Sequence, residues 1–202
     1  MGVRMTITTH PNWLSGDDHA NSFYACSKCD ADECNCDLPL TVATNYIKKG
    51  WWVLPLKPQS KEPCRFLRHG YLDASNDKSM VKKWFKDDPE LNIGLAIVQS
   101  NLVVLDFDIR NISSRILWEQ YRRICVTSNT HTVKTDNGYH FYYLADQTKQ
   151  FKGKLIPGID IKHKGYVVLP PSIHPNGTVY QVINDVDPVE LPAELEKVMS
   201  WN

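Results

Sequence analysis

The feature that most constrains the fold is an apolar run that ends in two acidic residues, at positions 102–110. The apolar residues 103–105 predict a buried strand. Because residues i and i+2 point to the same face of a strand, Asp106 and Asp108 project together while Phe107 faces the opposite layer. Two like charges this close repel each other unless a cation lies between them. The pattern indicates hard oxygen ligands for Mg²⁺ or Mn²⁺, and its alternative is a strand that ends in solvated turn residues.

A predicted β-hairpin over residues 130–144 adds a histidine. Asn137-Gly138 is a strong turn signal between two strand-like runs. His140 lies just inside the returning strand and is followed by the aromatic residues 141–143. Taken alone, this segment favours an ordinary hairpin with an incidental histidine.

A second strand–turn–strand segment, at residues 157–172, adds a third carboxylate. The turn is predicted at Lys164-Gly165, and two prolines end the second strand. Asp160 lies within the first apolar run, where a carboxylate is unexpected unless it is paired or binds a metal ion. The alternative is an edge-strand residue that faces water.

Periodicity predicts the remaining elements. Helices are expected at residues 39–49, 77–86 and 192–199, with a further helix capped by Ser113 or Ser114. Strands are expected at 52–56, 93–98, 102–107 and 178–183. We expect the strands at 93–98 and 102–107 to pair as a hairpin.

The ordered motifs LDFD, NGYH and GIDIK…GYVVLPPS resemble the primase-polymerase domain of phage, plasmid and integrated-element replication proteins. That domain belongs to the archaeo-eukaryotic primase superfamily. Residues 43–63, 70–73 with Trp84, and 92–94 also resemble its opening segments. The resemblance begins near Thr41 and implies an α/β catalytic domain of the primase type, with a mixed sheet flanked by helices.

The resemblance also implies roles for individual residues. In that family, an acidic pair and a third acidic residue bind two divalent metal ions, and a Gly-x-His histidine contacts the phosphates of the incoming nucleotide. By matching positions, Asp106, Asp108 and Asp160 are the implied catalytic ligands of Mg²⁺ or Mn²⁺, and His140 is the implied phosphate contact. Many members carry arginine where this chain has Lys162, which keeps the charge but loses the planar fork.

Further nucleotide-binding candidates are chosen for their charge or hydroxyl group. Lys162 or His163 would add positive charge at the triphosphate. Lys61, in the turn at 60–63, is a candidate for a third phosphate contact or a template contact. Ser172, which follows the two prolines, is a candidate for contact with nucleotide or primer.

Four cysteines give the N-terminal segment a different character. They form a CxxC beside a CxC, a pattern that allows a compact structural zinc site. The alternative is an acidic arm with free thiols in a reducing cytosol. We therefore divide the chain into a cysteine-containing arm at 1–38, which is either zinc-binding or disordered, and a catalytic domain at 39–202. The four candidate Zn²⁺ ligands are Cys26, Cys29, Cys34 and Cys36.

Charge and hydropathy limit the function classes. The 202 residues include 23 basic and 23 acidic side chains, so the formal net charge is zero. Proteins that grip long duplex DNA are usually more basic. No apolar run approaches the ~18 residues of a membrane span, and the first residues lack the core of a secretory signal. We expect a protein of the host-cell cytoplasm that has no membrane partner.

These features together predict a DNA primase/polymerase of phage or mobile-element replication. It would transfer nucleotides from nucleoside triphosphates to a 3′-hydroxyl, with template and primer DNA as partners. Because the chain contains no GxxxxGK[ST] loop, a replicative helicase or an accessory helical domain on another chain is a further candidate partner. Two alternatives remain open: a catalytically weak module that binds nucleotide or single-stranded DNA and regulates replication, and a metal-dependent nuclease.

Overall fold

The computed structural model describes residues 38–201, and within them the chain forms four α-helices and ten strands. The cysteine arm and its candidate zinc ligands Cys26, Cys29, Cys34 and Cys36 lie outside the described residues. In chain order the elements are α1 (Leu38–Lys48), β1 (Val53–Leu56), α2 (Lys78–Asp87), β2 (Asn92–Ala96), β3 (Leu102–Asp108), α3 (Arg115–Thr127), β4 (Thr132–Lys134), β5 (Gly138–Leu144), β6 (Lys154–Ile156), β7 (Ile159–Lys162), β8 (Tyr166–Leu169), β9 (Gln181–Asn184), β10 (Val189–Glu190) and α4 (Ala193–Met199).

The helix ends are set by local capping. Asp77 accepts a hydrogen bond from the backbone N–H of Met80 at 2.8 Å and so caps α2. Ser114 is the N-cap of α3, and Gly50, whose φ is +83°, follows the last turn of α1. The three helices predicted with bounds are confirmed to within one residue at each end, and the fourth is present as α3. None of the helices in the described part of the chain is both long enough and apolar enough to span a membrane.

The strands form two sheets. One is a three-stranded antiparallel sheet with the order β1-β2-β8. The other has the order β6-β7-β3-β5-β4-β9, and β10 adds a seventh strand parallel to β5. The larger sheet is therefore mixed, as expected. Its centre is β3, which pairs with β5 on one side and β7 on the other.

The predicted hairpin between 93–98 and 102–107 is wrong. β2 belongs to the small sheet and β3 to the large one, so the chain crosses between sheets at residues 97–101. Asn101, with φ +55°, makes this turn possible. β2 is buried along its whole length and β3 along its first four residues, so neither shows the alternation that would identify its partner. The strands β7 and β8 also lie in different sheets.

Two apolar cores lie on opposite faces of the large sheet. The inter-sheet core, between the large sheet, the small sheet and helices α1 and α2, contains Val104 and Tyr142. The helix-side core, between the large sheet and helices α3 and α4, contains Phe107 and Trp118. Phe107 thus faces away from the two aspartates that flank it, as the strand periodicity predicted. Full burial of each such side chain contributes about 1.5–3 kcal/mol.

His131 is a buried histidine beside the inter-sheet core. Its ring lies edge-on to Trp51 and Tyr142, with centroid distances of 5.3 and 5.2 Å. Its Nδ1–H donates to the carbonyl of Val186 at 3.2 Å. Burial and the charge of Lys49 lower the pKa of His131 to about 4. The ring is therefore neutral in the folded protein at neutral pH.

This pKa predicts a loss of stability in mild acid. Below the ordinary histidine pKa of ~6.5, the unfolded chain takes up a proton that folded His131 does not, so stability falls as the pH falls towards 4. The loss should reach about 2 kcal/mol by pH 5. Urea unfolding of the wild type and of His131→Phe at several pH values checks this. The variant should lose less stability between pH 7 and pH 5, and parallel profiles would contradict the assignment.

Candidate active site

Three polar residues form a row across the centre of the large sheet. Asp106 on β3 lies directly opposite His140 on β5 and directly opposite Asp160 on β7. Residues that face each other across paired strands point to the same side of a sheet, so all three project to one face. We call Asp106, His140 and Asp160 the acid row. Asp108 projects from the same face, one pleat further along β3.

The acid row lies where the inter-sheet core ends. Val104 and Tyr142, one pleat back on β3 and β5, still belong to that core. Beyond them the face opens into a cavity of about 400 Å³. The cavity is lined by Asp106, Asp108, Asn111, Lys154, Pro157, Gly158 and Asp160. All three carboxylates predicted as metal ligands therefore line one cavity.

Two glycines flank Asp108. Gly138 is its partner on β5, where a Cβ would overlap the carbonyl oxygen of Phe107. Gly158, at φ +89°, accepts a hydrogen bond from the N–H of Asp108 at 2.9 Å. A Cβ at Gly158 would lie 3.1 Å from the carbonyl oxygen of Asp108. Glycine at both positions allows close backbone approach and leaves space beside the carboxylate.

Asp106 lies between His140 and Lys162. The Nε2 atom of His140 and the Nζ atom of Lys162 each lie 3.5 Å from one of its carboxylate oxygens. Burial raises the pKa of Asp106, but the hydrogen bonds and charges of His140 and Lys162 outweigh burial and hold the pKa at about 2. Asp106 is therefore ionised at every physiological pH.

The other two carboxylates also have cationic partners. Lys162 donates to Asp160 at 2.9 Å, and Lys154 lies 3.6 Å from the other oxygen of Asp160. Arg110 donates to both oxygens of Asp108, at 3.0 and 2.8 Å, and lowers the pKa of that carboxyl. The repulsion between the clustered carboxylates is thus balanced by side-chain cations.

The donor set fits divalent metal ions in its chemistry. Three carboxylates on one cavity wall supply the oxygen ligands that Mg²⁺ and Mn²⁺ prefer. Across residues 38–201, however, no three His, Cys, Asp or Glu side chains converge on a common point. The carboxylate oxygens turn instead towards Lys162 and Arg110, whose side chains are 35% and 57% exposed. Metal binding would require these partly solvated ion pairs to separate.

Two tyrosine side chains lie next to the imidazole ring of His140. Its Nδ1 atom lies 3.4 Å from the hydroxyl of Tyr142, and its ring lies 6.2 Å from that of Tyr180. Burial raises the pKa of Tyr142 well above its ordinary value, so the hydroxyl keeps its proton and can donate to Nδ1. These contacts leave Nε2 directed towards Asp106.

The predicted neighbours Lys162 and His163 separate onto opposite faces. Lys162 lies on the acid-row face and bridges Asp106 and Asp160. His163, one residue later, lies beside Phe151 of the helix-side core, with ring centroids 6.1 Å apart. The structure therefore brings Lys162 to the site and places His163 away from it.

Ser172 and Lys61 also lie apart from the cavity. Ser172 is buried, and its hydroxyl oxygen accepts a hydrogen bond from the N–H of Ile93 at 2.8 Å. Lys61 is exposed in its turn, where its carbonyl accepts from the hydroxyl of Tyr166 at 2.8 Å. Neither residue lines the cavity that holds the three carboxylates.

Sequence reasoning missed Arg110 and Lys154 as members of the site. Arg110 follows Asp108 by two residues, and this short spacing was the available signal for their ion pair. Lys154 reaches Asp160 because β6 pairs with β7, in a register that shifts between residues 154 and 156. No local pattern in the sequence indicates that pairing.

The chain matches a known protein family over most of its length. A family model described as bifunctional DNA primase/polymerase, N-terminal, matches residues 43–194. The matched range includes the whole acid row, Asp108 and Lys162. No curated protein matches the chain.

Replacing Gly138 should damage the site more than replacing a glycine in open space. Gly138→Ala places a Cβ against the backbone of Phe107, so β3 and β5 must separate beside Asp108. We expect a loss of about 2 kcal/mol or more in the free energy of unfolding. The matched control is Gly153→Ala, where a Cβ meets nothing within 4 Å, and it should be neutral or slightly stabilising. Urea denaturation measures both, and equal effects would contradict the close approach at Gly138.

Proposed function

The chain belongs to the Prim-Pol family of bifunctional DNA primase/polymerases, and we propose that it is a template-directed enzyme that transfers nucleotides to a 3′-hydroxyl. The observation that carries this proposal is the acid row with Asp108, which places three carboxylates beside His140 and Lys162. Nucleotidyl transfer needs anionic ligands for divalent metal ions next to cationic contacts for a triphosphate. Both requirements are met on one face of the large sheet.

Each side chain of the site has a proposed role. Asp106, Asp108 and Asp160 would hold Mg²⁺ or Mn²⁺. When bound, these ions lower the pKa of an attacking hydroxyl and neutralise charge on the departing pyrophosphate. His140 donates from Nε2 to a phosphate oxygen, because Nδ1 is occupied by Tyr142. The buried tyrosine therefore orients the histidine for the nucleotide.

Lys162 has two proposed kinds of partner, the carboxylates of the acid row and the triphosphate of the nucleotide. Burial lowers the pKa of Lys162, but Asp160 and Asp106 outweigh burial and raise the pKa, so the ammonium stays charged. Without a divalent ion, Lys162 neutralises the two carboxylates that it bridges. With Mg²⁺ or Mn²⁺ held by those carboxylates, the same ammonium would be free to contact a triphosphate oxygen. The exchange keeps the charge in the cavity close to balanced as substrate enters.

The remaining candidates receive other roles. Ser172 supports β2 through the backbone of Ile93 and is not assigned to the nucleotide. His163 is assigned to the sheet's other face, and Lys61 to the template. We further propose that the enzyme acts in phage or mobile-element DNA replication in the host cytoplasm. A replicative helicase or an accessory helical domain on another chain is its proposed partner, on the strength of the family resemblance.

The two alternative functions are less well supported. A binding module that stacks bases on the aromatic residues of β5 would need them exposed, but Phe141, Tyr142 and Tyr143 are buried. A metal-dependent nuclease would need the carboxylates but has no triphosphate for His140 and Lys162 to contact. Incorporation of labelled nucleotides on a primed template, with Mg²⁺ or Mn²⁺, separates all three functions, because only the polymerase lengthens the primer.

Removing the acidic pair should abolish synthesis without unfolding the protein. Asp106→Ala combined with Asp108→Ala removes two of the three proposed metal ligands, whereas both side chains are partly solvated and Lys162 keeps Asp160 as its partner. Primer extension should fall to background while the thermal midpoint stays within a few degrees. The matched control is Asp87→Ala with Asp88→Ala, at the end of α2, which should extend primers normally. Undiminished extension by the first variant would remove the pair from the catalytic centre.

His140 and His163 make a matched pair for testing nucleotide contact. His140→Ala should raise the KM for the nucleoside triphosphate about ten- to a hundredfold, since a charge-assisted contact contributes about 1.5–3 kcal/mol. His163→Ala should leave KM unchanged, because its ring lies beside Phe151 of the helix-side core. Steady-state kinetics with saturating template measures both. Equal KM values in the two variants would make His140 a structural residue.

A further inference from the structure

An exposed basic segment with an aromatic residue at its centre lies outside the cavity. Lys61, Arg65, Phe66 and Arg68 belong to the connection between β1 and α2, and all four are exposed. Phe66 is 58% exposed, although its neighbours Cys64 and Leu67 are buried in the inter-sheet core. We call Lys61, Arg65, Phe66 and Arg68 the basic ridge.

Within residues 38–201, the cations of the basic ridge form no ion pair, although the charge of Arg65, after the hydrogen bond and charge of Lys57, contributes to lowering the pKa of Glu62. Two acidic residues occur in this connection before the N-cap of α2, Glu62 and Asp73. Glu62 pairs with Lys57, and Asp73 accepts from both the ring and the backbone N–H of His69. Among the described residues, neither Arg65 nor Arg68 forms an ion pair with any acid. Each guanidinium is therefore available to an external anion.

The basic ridge is fixed in place before any ligand arrives. The N–H of Cys64 donates to the carbonyl of Pro55 at 3.1 Å, and that of Leu67 donates to the carbonyl of Cys64 at 3.0 Å. Burial of Cys64 and Leu67 anchors the segment on both sides of Phe66. A preorganised aromatic ring loses little conformational freedom when it binds a ligand.

A series of hydrogen bonds and ring contacts connects the basic ridge to His140 of the acid row. The side chain of Asn92 donates to the carbonyl of Ser60 at 2.9 Å, next to Lys61, and accepts from the N–H of Ile173 at 2.9 Å. The loop that begins at Ile173 leads to Tyr180, whose ring lies 6.2 Å from that of His140. Asn92 and the loop at 173–180 therefore connect the turn that carries Lys61 with the tyrosine beside His140.

We propose that the basic ridge binds the unpaired template strand, with a base stacked on Phe66 and phosphates held by Arg65, Arg68 and Lys61. This inference rests on the proposed function, which requires a template. Aromatic rings between cations are the usual basis of sequence-independent single-strand binding. A base in a duplex has its faces covered by its neighbours, so Phe66 can stack only on an unpaired base.

The test measures binding of a labelled single-stranded oligodeoxynucleotide to the full chain by fluorescence anisotropy, without nucleotide or divalent metal. Phe66→Ala should weaken binding roughly tenfold, and Phe66→Trp should restore it, because stacking on a ring is lost and then regained. Arg65→Ala with Arg68→Ala should reduce the slope of log affinity against log salt by about 1.4, since each phosphate contact of a single strand contributes ~0.7. Thermal melting checks that every variant is folded.

Two control variants remove exposed positive charges, or an exposed apolar side chain, outside the basic ridge. Lys82→Ala with Lys83→Ala removes two exposed charges from α2, and Leu72→Ala removes a residue that is 62% exposed but has no ring. Neither should change the affinity or the salt slope. An equal loss in the lysine variant would mean a general charge effect and would overturn the proposal. Unchanged binding by the ridge variants, or the same dependence on Phe66 with duplex DNA or tighter binding of single-stranded RNA, would also overturn it.

The result of the single-strand binding test can be distinguished from the result of the primer-extension test. If the wild type fails to extend primers but the ridge variants still lose single-strand binding, the ridge assignment stands and the polymerase assignment falls. If primers are extended and the ridge variants bind the oligonucleotide as well as the wild type does, only the ridge assignment falls.

Discussion

The repulsion between carboxylates on one strand face governs the arrangement of the active site. The side chains of Asp106 and Asp108 are held close together, because alternate residues of β3 project from the same face of the sheet. The register then adds Asp160 beside Asp106. Lys162, His140 and Arg110 meet this charge, each at a carboxylate oxygen. Any further cation or anion in this site would have to exchange with these partners.

The position of β3 at the centre of the large sheet is what assembles the acid row. A central strand has two neighbours, so one position on β3 meets a residue of β5 and a residue of β7 at once. His140 and Asp160 are far from Asp106 in sequence, and only the strand order brings them together. The buried Tyr142 and the two glycines beside Asp108 are part of the same arrangement, because they fix the histidine and the strand spacing.

Local patterns predicted the elements of this fold, but the partners of the strands needed the tertiary structure. The helix caps at Asp77 and Ser114 and the hairpin at Asn137-Gly138 depend on residues close in sequence, and all three are present. The pairing of β2 with β3 was wrong, because strands buried on both faces do not reveal which sheet they join. Lys162, the last residue of β7, also lies apart from His163, which contacts Phe151 of the helix-side core, although the two are adjacent in sequence. The hydroxyl of Ser172 is bonded to β2, a contact across 79 positions that no motif indicates.

A net charge of zero is compatible with DNA synthesis because the charges are separated in space. Acidic side chains gather at the cavity, where metal ligands are needed, while the basic ridge retains arginines without described acidic partners. Affinity for a nucleic acid depends on the phosphates that are actually contacted, not on the overall sum of charges. A ridge with three cations supplies few such contacts, so its affinity for a template strand should be low and should depend strongly on salt.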